Sequence, residues 1–217
     1  MYNRFRQPEQ IFSFFQTLLL CIIFWAPAFP AAAELVKGTR LSPAELEAEL
    51  KHYRTITTLE SKFEQRKSLK SLGIDLESQG KLRMTREKGG AAEVDWVLEK
   101  PAYLRLKITE SSIESFASAD QKRGKPLLEN QDLATQVLRP LYAWVAMDAA
   151  KISEEYQVFR VAAGRFRLVP KRTESTPLDA IQMQIGKNQL VEEITLLERS
   201  HDELRIRFRD TKVESRK

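Results

Sequence analysis

Around Pro101 the chain reads WVLEKPAYLRLKI, from Trp96 to Ile108. On either side of Pro101, apolar residues alternate with charged or polar ones. Trp96 and Leu98, then Leu104, Leu106 and Ile108, fall on one side. Asp95, Tyr103, Arg105 and Lys107 fall on the other. A period of two is the signature of a half-buried strand, because successive side chains point to opposite faces. The open question is whether the apolar side meets an ordinary core or a space that a ligand enters.

Working outward, the same alternation recurs on both sides of this stretch. From Leu59 the period is two, with Leu59, Ser61, Phe63 and Gln65 on one side and Glu60, Lys62 and Glu64 on the other. Leu82 and Met84 start another run after Gly80. Gly89-Gly90 turns the chain into the Trp96 strand, and a short strand is expected over Ile113 to Phe116. Before all of these, LSPAELEAELKHYRTI has the marks of a helix start. Ser42 can cap, Pro43 suits the first turn, and Glu45 completes a capping box. Leu46, Leu50, Tyr53 and Ile56 follow at helical spacing.

From Gly124 to Ile152 the alternation stops. Leu133, Val137, Leu141, Trp144 and Val145 recur at helical spacing, and Pro140 breaks the run into two short helices. Strands then return: Phe159 with Val161, Phe166 with Leu168, Ile181 with Met183 and Ile185, and Leu204 with Ile206 and Phe208. Lys187-Asn188 marks a hairpin turn, and Thr173 to Pro177 is the most polar loop. The order is one helix, about five strands, an apolar helical insertion and about five more strands. The expected class is therefore mainly β (α+β), a strongly curved antiparallel sheet or barrel with its apolar helices on the concave face.

The chain has 217 residues, and its start is not expected to belong to that fold. Arg4 and Arg6 precede an uncharged run from Ile11 to Ala33 with an apolar centre, LLLCIIFW, ending at Ala31 and Ala33 before Glu34. This reads as a secretory signal peptide cleaved after Ala33. The rivals are an uncleaved membrane anchor and, more weakly, a lipoprotein anchored through Cys21. Removal of residues 1–33 from the 217 leaves 184, a single domain over 34–217. The only cysteine, Cys21, would leave with the signal, so no disulfide is expected. The formal charge of +5 falls to +4 as Arg4, Arg6 and Glu9 go. That mild excess suits anionic surfaces and gives no argument for nucleic acid.

A catalytic constellation is hard to find. His52 and His201 lie among charged residues and read as surface side chains, in no metal-ligand spacing. No nucleophile elbow, zinc-protease motif or phosphate-binding loop is present. Glu192 and Glu193 read as solvated charge on an outer face. No enzyme activity, cofactor or metal is expected.

Three segments together resemble the periplasmic outer-membrane lipoprotein carrier family, LolA and its relatives. They are FEQRKSL at Phe63 to Leu69, SQGKLRMTRE at Ser78 to Glu87, and VDWVLEKPAYLRLKI at Val94 to Ile108. The resemblance covers about residues 40 to 210. It implies a half-open antiparallel β-barrel wrapped around a helical lid, with an apolar cavity between them for the acyl chains of a lipoprotein or other lipid. Phe63, Leu82, Met84, Trp96, Leu98, Leu104, Leu106, Ile108 and Phe116 would then line the cavity. Leu133, Val137, Leu141 and Trp144 would form the lid. The family's lid-locking arginine stands six residues after the glycine of its G-x-L strand, and Arg86 stands six after Gly80. The pattern departs at Glu87, where the family has proline, at the inserted Lys88-Gly89-Gly90, and at ESFASADQKRGKP after Ile113. The implied partners are an inner-membrane ABC transporter that releases lipoproteins and an outer-membrane acceptor, met by a monomeric carrier. The residues also leave open an envelope scaffold or interaction protein, or a carrier of a glycolipid or other amphiphile. An enzyme acting on lipid is more distant.

Overall fold

The computed structural model of this protein describes residues 38–87, 91–126, 142–173 and 176–216. Twelve strands form one sheet in the order β1-β8-β9-β10-β11-β12-β2-β3-β4-β5-β6-β7, antiparallel at every join. The strands are β1 (Thr39–Arg40), β2 (Ile56–Leu69), β3 (Ile74–Arg86), β4 (Ala92–Lys100), β5 (Leu104–Ile108), β6 (Ile113–Phe116) and β7 (Lys125–Pro126). After the helical region come β8 (Tyr156–Ala162), β9 (Arg165–Pro170), β10 (Leu178–Ile185), β11 (Val191–Glu198) and β12 (Glu203–Ser215). Two meanders, β2 to β7 and β8 to β12, are thus joined where β12 docks along β2. The outermost strands, β1 and β7, do not pair with each other, so the curved sheet stays open.

Helix α1 (Pro43–Leu50) begins as expected. Ser42 Oγ accepts from the Glu45 amide at 3.3 Å, and the Glu45 carboxylate accepts from the Ser42 amide at 2.7 Å. A 3-10 turn, Lys51–Arg54, carries the chain into β2. Helix α2 (Ala149–Glu155) packs against α1, and its N-cap Asp148 accepts from the amides of Ala150 and Lys151. Residues 142–145 are helical. These helical pieces and the concave side of the sheet form one apolar core.

Cross-strand register decides which side chains enter that core. Leu82 pairs with Trp96, Trp96 with Leu106, Leu98 with Leu104, and Val94 with Ile108, so all these residues share the concave face. The opposite face carries the ion pairs Arg105–Asp95 at 2.6 Å and Lys107–Glu93 at 2.9 Å. Gly80 stands opposite Phe63, where a Cβ would lie 2.8 Å from the Phe63 ring and 1.8 Å from the Val97 carbonyl oxygen. Glycine is what lets β4 and the Phe63 ring approach together.

Several expectations are corrected. A two-residue strand, β1, precedes the helix and pairs with β8. Lys125–Pro126, expected inside the helical insertion, pairs with β6 instead. Along β8 the inward residues are Tyr156 and Val158; Phe159 is half-buried and Val161 is exposed on the other face. His201 is exposed as expected, but His52 is half-buried against the Tyr53 ring, 4.3 Å away between centroids.

Candidate functional site

The helical residues 142–145 and the turn at 146–147 lie against the concave sheet, and Tyr142, Ala143, Trp144, Val145, Ala146 and Met147 are all buried. Backbone bonds from the Ala146 amide to the Tyr142 carbonyl and from the Asp148 amide to the Ala143 carbonyl define this short unit. It ends at Met147, whose φ of 50° is a left-handed conformation that a non-glycine residue seldom adopts. The segment and α2 are therefore separate helical pieces with a sharp break between them.

Two polar fasteners tie the segment to the sheet. Arg86, the last residue of β3, donates from Nη2 to the Ala146 carbonyl and from Nη1 to the Tyr53 carbonyl, each at 2.7 Å. One planar guanidinium thus holds two carbonyls from different parts of the chain, a fork geometry that lysine cannot reproduce. Burial pulls the Arg86 guanidinium below its usual range, and nearby Tyr142 and Asp148 oppose that pull. The second fastener is Tyr142. Its hydroxyl accepts from the Ala92 amide at 2.8 Å and donates to the Ala92 carbonyl at 3.0 Å, at the start of β4. Burial raises the Tyr142 phenol above its ordinary range.

Between segment and sheet lies an almost wholly apolar cavity of about 40 Å³. Leu82, Met84 and Trp96 form its sheet side, and Trp144, Val145 and Met147 close it from above. On the remaining side stand Tyr53, Leu59, Ser61, Leu190, Val191, Ile194, Phe208 and Thr211. A pocket that encloses a drug-sized ligand measures roughly 300–1,000 Å³. The described conformation is therefore a closed one, with room for a few water molecules and none for an acyl chain.

The expected site residues separate into groups. Leu82, Met84, Trp96 and Trp144 line the cavity. Phe63 stands behind Trp96, with ring centroids 4.7 Å apart, and supports it without facing the space. Leu98, Leu104, Leu106 and Ile108 are buried on the same concave face but outside that lining. The apolar side of Trp96 to Ile108 is thus mostly core, with Trp96 its contribution to a cavity wall. Phe116 is a correction. It pairs with Arg105, so it occupies the convex face, where the Arg105 guanidinium lies 4.9 Å from its ring centroid. Register forces this, because Ile113 pairs with Ile108 on the concave side and an odd offset of three reverses the face. Leu133, Val137 and Leu141 lie outside the described residues.

Sequence reasoning missed the side formed by Tyr53, Val191, Phe208 and Thr211. Tyr53 was legible as an apolar helix position, but its hydroxyl, which accepts from the Val191 amide at 2.7 Å, gave no signal. Among the described residues no cluster of His, Cys, Asp or Glu could hold a metal ion. Among them, too, no helix is long and apolar enough to cross a membrane.

No family model matches the chain, and no curated protein matches it in sequence. Solved structures do resemble it. A DUF1329 family protein from Desulfovibrio piger aligns with a TM-score of 0.48 at 9% identity, over 79% of this chain and 92% of that one. The MucA/MucB complex of Pseudomonas aeruginosa aligns at 0.48 and 13% identity, over 81% of this chain and 58% of that one. A LolA superfamily protein from Nitrosomonas europaea aligns at 0.40 and 8% identity, over 82% and 96%. At such scores and identities the likeness carries no weight about ligand or mechanism, and the architecture stands on its own strand order and register.

Proposed function

We propose that this chain is a non-enzymatic periplasmic carrier that shields the acyl chains of a lipoprotein or other lipid between the concave sheet and the segment 142–147. The observation that carries the reading is the clasped apolar cavity. A greasy face is covered by a short, separable helical piece, and Arg86 holds that piece by one hydrogen bond to Ala146. Four of the cavity's walls, Leu82, Met84, Trp96 and Trp144, come from the segments that resemble lipoprotein carriers or from the expected lid. In this reading residues 1–33 are a cleaved signal, and the 34–217 domain acts as a monomer. It receives cargo from an inner-membrane transporter and delivers it to an outer-membrane acceptor.

Magnitudes shape the mechanism. Burying an acyl chain of about sixteen carbons gains on the order of 12 kcal/mol at ~0.8 kcal/mol per methylene. A carrier cannot release that into water, so cargo passes directly from one apolar site to another. Segment 142–147 then has only to bias a nearly balanced exchange: its own apolar side chains occupy the space when empty, and acyl chains replace them when loaded. Met147, at its left-handed φ, supplies the break about which the segment can lift while α2 stays packed on α1.

Trp144→Ala tests this reading. It removes a large side chain from the covering segment, where truncation of a buried tryptophan costs about 3–5 kcal/mol in a fixed core. The expected result is an unchanged strand signal in circular dichroism with an altered affinity for a fluorescent fatty-acyl probe. Cooperative unfolding would make Trp144 an ordinary core residue. An intact fold that binds no acyl probe in either form would favour an envelope scaffold.

A further inference from the structure

The pairing of β12 contains a fork. Its ladder with β11 runs only from Leu197↔Glu203 to Glu193↔Arg207. Along β2, however, β12 continues to Ser215. From Phe208 onward, β12 has no strand partner on its outer side among the described residues. The last shared rung is closed by the ion pair from Arg207 Nε to Glu193 Oε2 at 2.8 Å. Past it only Glu192 and Val191 of β11 remain, and the Val191 amide donates to the Tyr53 hydroxyl at 2.7 Å.

This fork opens on the cavity. Val191 on the β11 arm and Phe208 and Thr211 on the β12 arm line the cavity, and Ile194 lines it from the rung just inside the fork, where it pairs with Ile206. Phe208 stands in the crotch, half-buried, and meets both Phe63 and Trp96 edge-on at 6.5 and 6.4 Å. At the throat the Ser61 and Thr211 hydroxyls bond each other at 2.8 Å, and Ser61 also donates to the Arg209 carbonyl at 3.0 Å.

A bare strand edge could instead recruit a peptide strand, but this one is guarded. The register breaks between Arg209 and Lys212, Asp210 has a left-handed φ of 54°, and Lys62 pairs with Asp210 at 2.9 Å. A bulge with charged side chains disfavours strand addition. An alkyl chain needs no backbone partner, so the guard does not oppose it.

We infer that the β11–β12 fork is the portal through which a single acyl chain threads into the cavity, with Phe208 as its gate and the Ser61–Thr211 hydroxyls as the polar rim that meets the head group. This rests on the carrier reading and assigns its entry route to the side of the sheet rather than to the lifted segment. The fork and the clasp are connected through Tyr53, which accepts from Arg86 at its carbonyl and from Val191 at its hydroxyl.

Stopped-flow binding of cis-parinaric acid to the full 34–217 domain tests the portal. Phe208→Ala should raise the association rate constant by about tenfold, and the dissociation rate constant at least as far, since the cavity also loses a wall. Thr211→Trp, at the half-exposed mouth, should lower the association rate constant by a similar factor. A residue with a purely structural role would leave the association rate constant unchanged or alter the circular dichroism spectrum. Wild-type protein that binds the probe while both variants keep its rates would overturn the portal and leave the carrier reading standing. Wild-type protein that does not bind would overturn both.

Discussion

Arg86 offers the sharpest perturbation, because what it holds can be counted. Arg86→Met keeps most of the aliphatic stem and removes the two donors that reach Ala146 and Tyr53. A hydrogen bond from a charged donor contributes about 1.5–3 kcal/mol net. Of the two Arg86 bonds, only the one to Ala146 joins the covering segment to the sheet, so that range is the expected loss of closure. At about 1.4 kcal/mol per factor of ten, it moves the closed-to-open ratio by ~10- to 100-fold toward open. The Tyr142 hydroxyl still grips Ala92, so the segment stays attached near its start. If only the open form has room to hold an acyl chain, apparent affinity is set by the open fraction. The variant should then bind a fluorescent acyl probe more tightly, up to that factor, and give it up more slowly to acceptor vesicles. Arg86→Lys should fall between, since an ammonium cannot serve both carbonyls in the same fork. Fluorescence titration and a vesicle-transfer assay, with circular dichroism as a fold control, measure all three proteins. Unchanged affinity and transfer in a well-folded Arg86→Met, with wild type active, would refute the clasp.

Three other predictions follow from different parts of the molecule. Lys67 and Glu198 form a buried ion pair at one end of the concave face, 5% and 7% exposed. Lys67→Met alone should cost about 3–5 kcal/mol in urea unfolding, whereas Lys67→Met with Glu198→Met should recover most of that loss; an additive double variant would contradict it. Gly80→Ala would drive a Cβ against the Val97 carbonyl oxygen, 1.8 Å away, and should prevent β3 and β4 from pairing natively, which soluble yield and near-ultraviolet circular dichroism would reveal. Burial raises the Tyr53 and Tyr156 phenols well above their ordinary value of 10.0. Above about pH 10 the unfolded chain loses protons that the folded one keeps. Stability is therefore full below pH 10 and falls as pH rises, by at most ~1.4 kcal/mol per unit for each phenol. Ionisation of Tyr53 or Tyr156 well before the alkaline unfolding transition, read as tyrosinate absorbance that is lost in Tyr53→Phe or Tyr156→Phe, would contradict it.

Much of the sheet was legible because β2 to β5 alternate cleanly and each register is set by a short connection. Pairing Trp96 with Leu106 needs only the turn around Pro101. Arg86 was singled out only by the resemblance to the carrier family, whose arginine stands six residues after a glycine, and its contacts with Ala146 and Tyr53 come only with folding. The errors have physical causes. Ile113 and Phe116 are both apolar, yet three residues apart on a strand they cannot share a face. In β8 two interleaved apolar sets, Tyr156 with Val158 and Phe159 with Val161, compete for the core. The sequence does not say which one the neighbouring strand will admit. The fork was invisible because it depends on how far β12 outruns β11, a property of pairing between distant segments. The hydroxyls of Tyr53 and Tyr142 bond to backbone groups, which leave no side-chain pattern to read.

Carriage of acyl chains between membranes by this protein is checked by native mass spectrometry of the protein recovered from the periplasm without detergent. The expected spectrum shows the 34–217 domain alone and a second species, heavier by one acylated passenger, that collapses to the first when acceptor vesicles are added. A spectrum holding only the bare domain, from cells whose lipoprotein traffic is active, would contradict it.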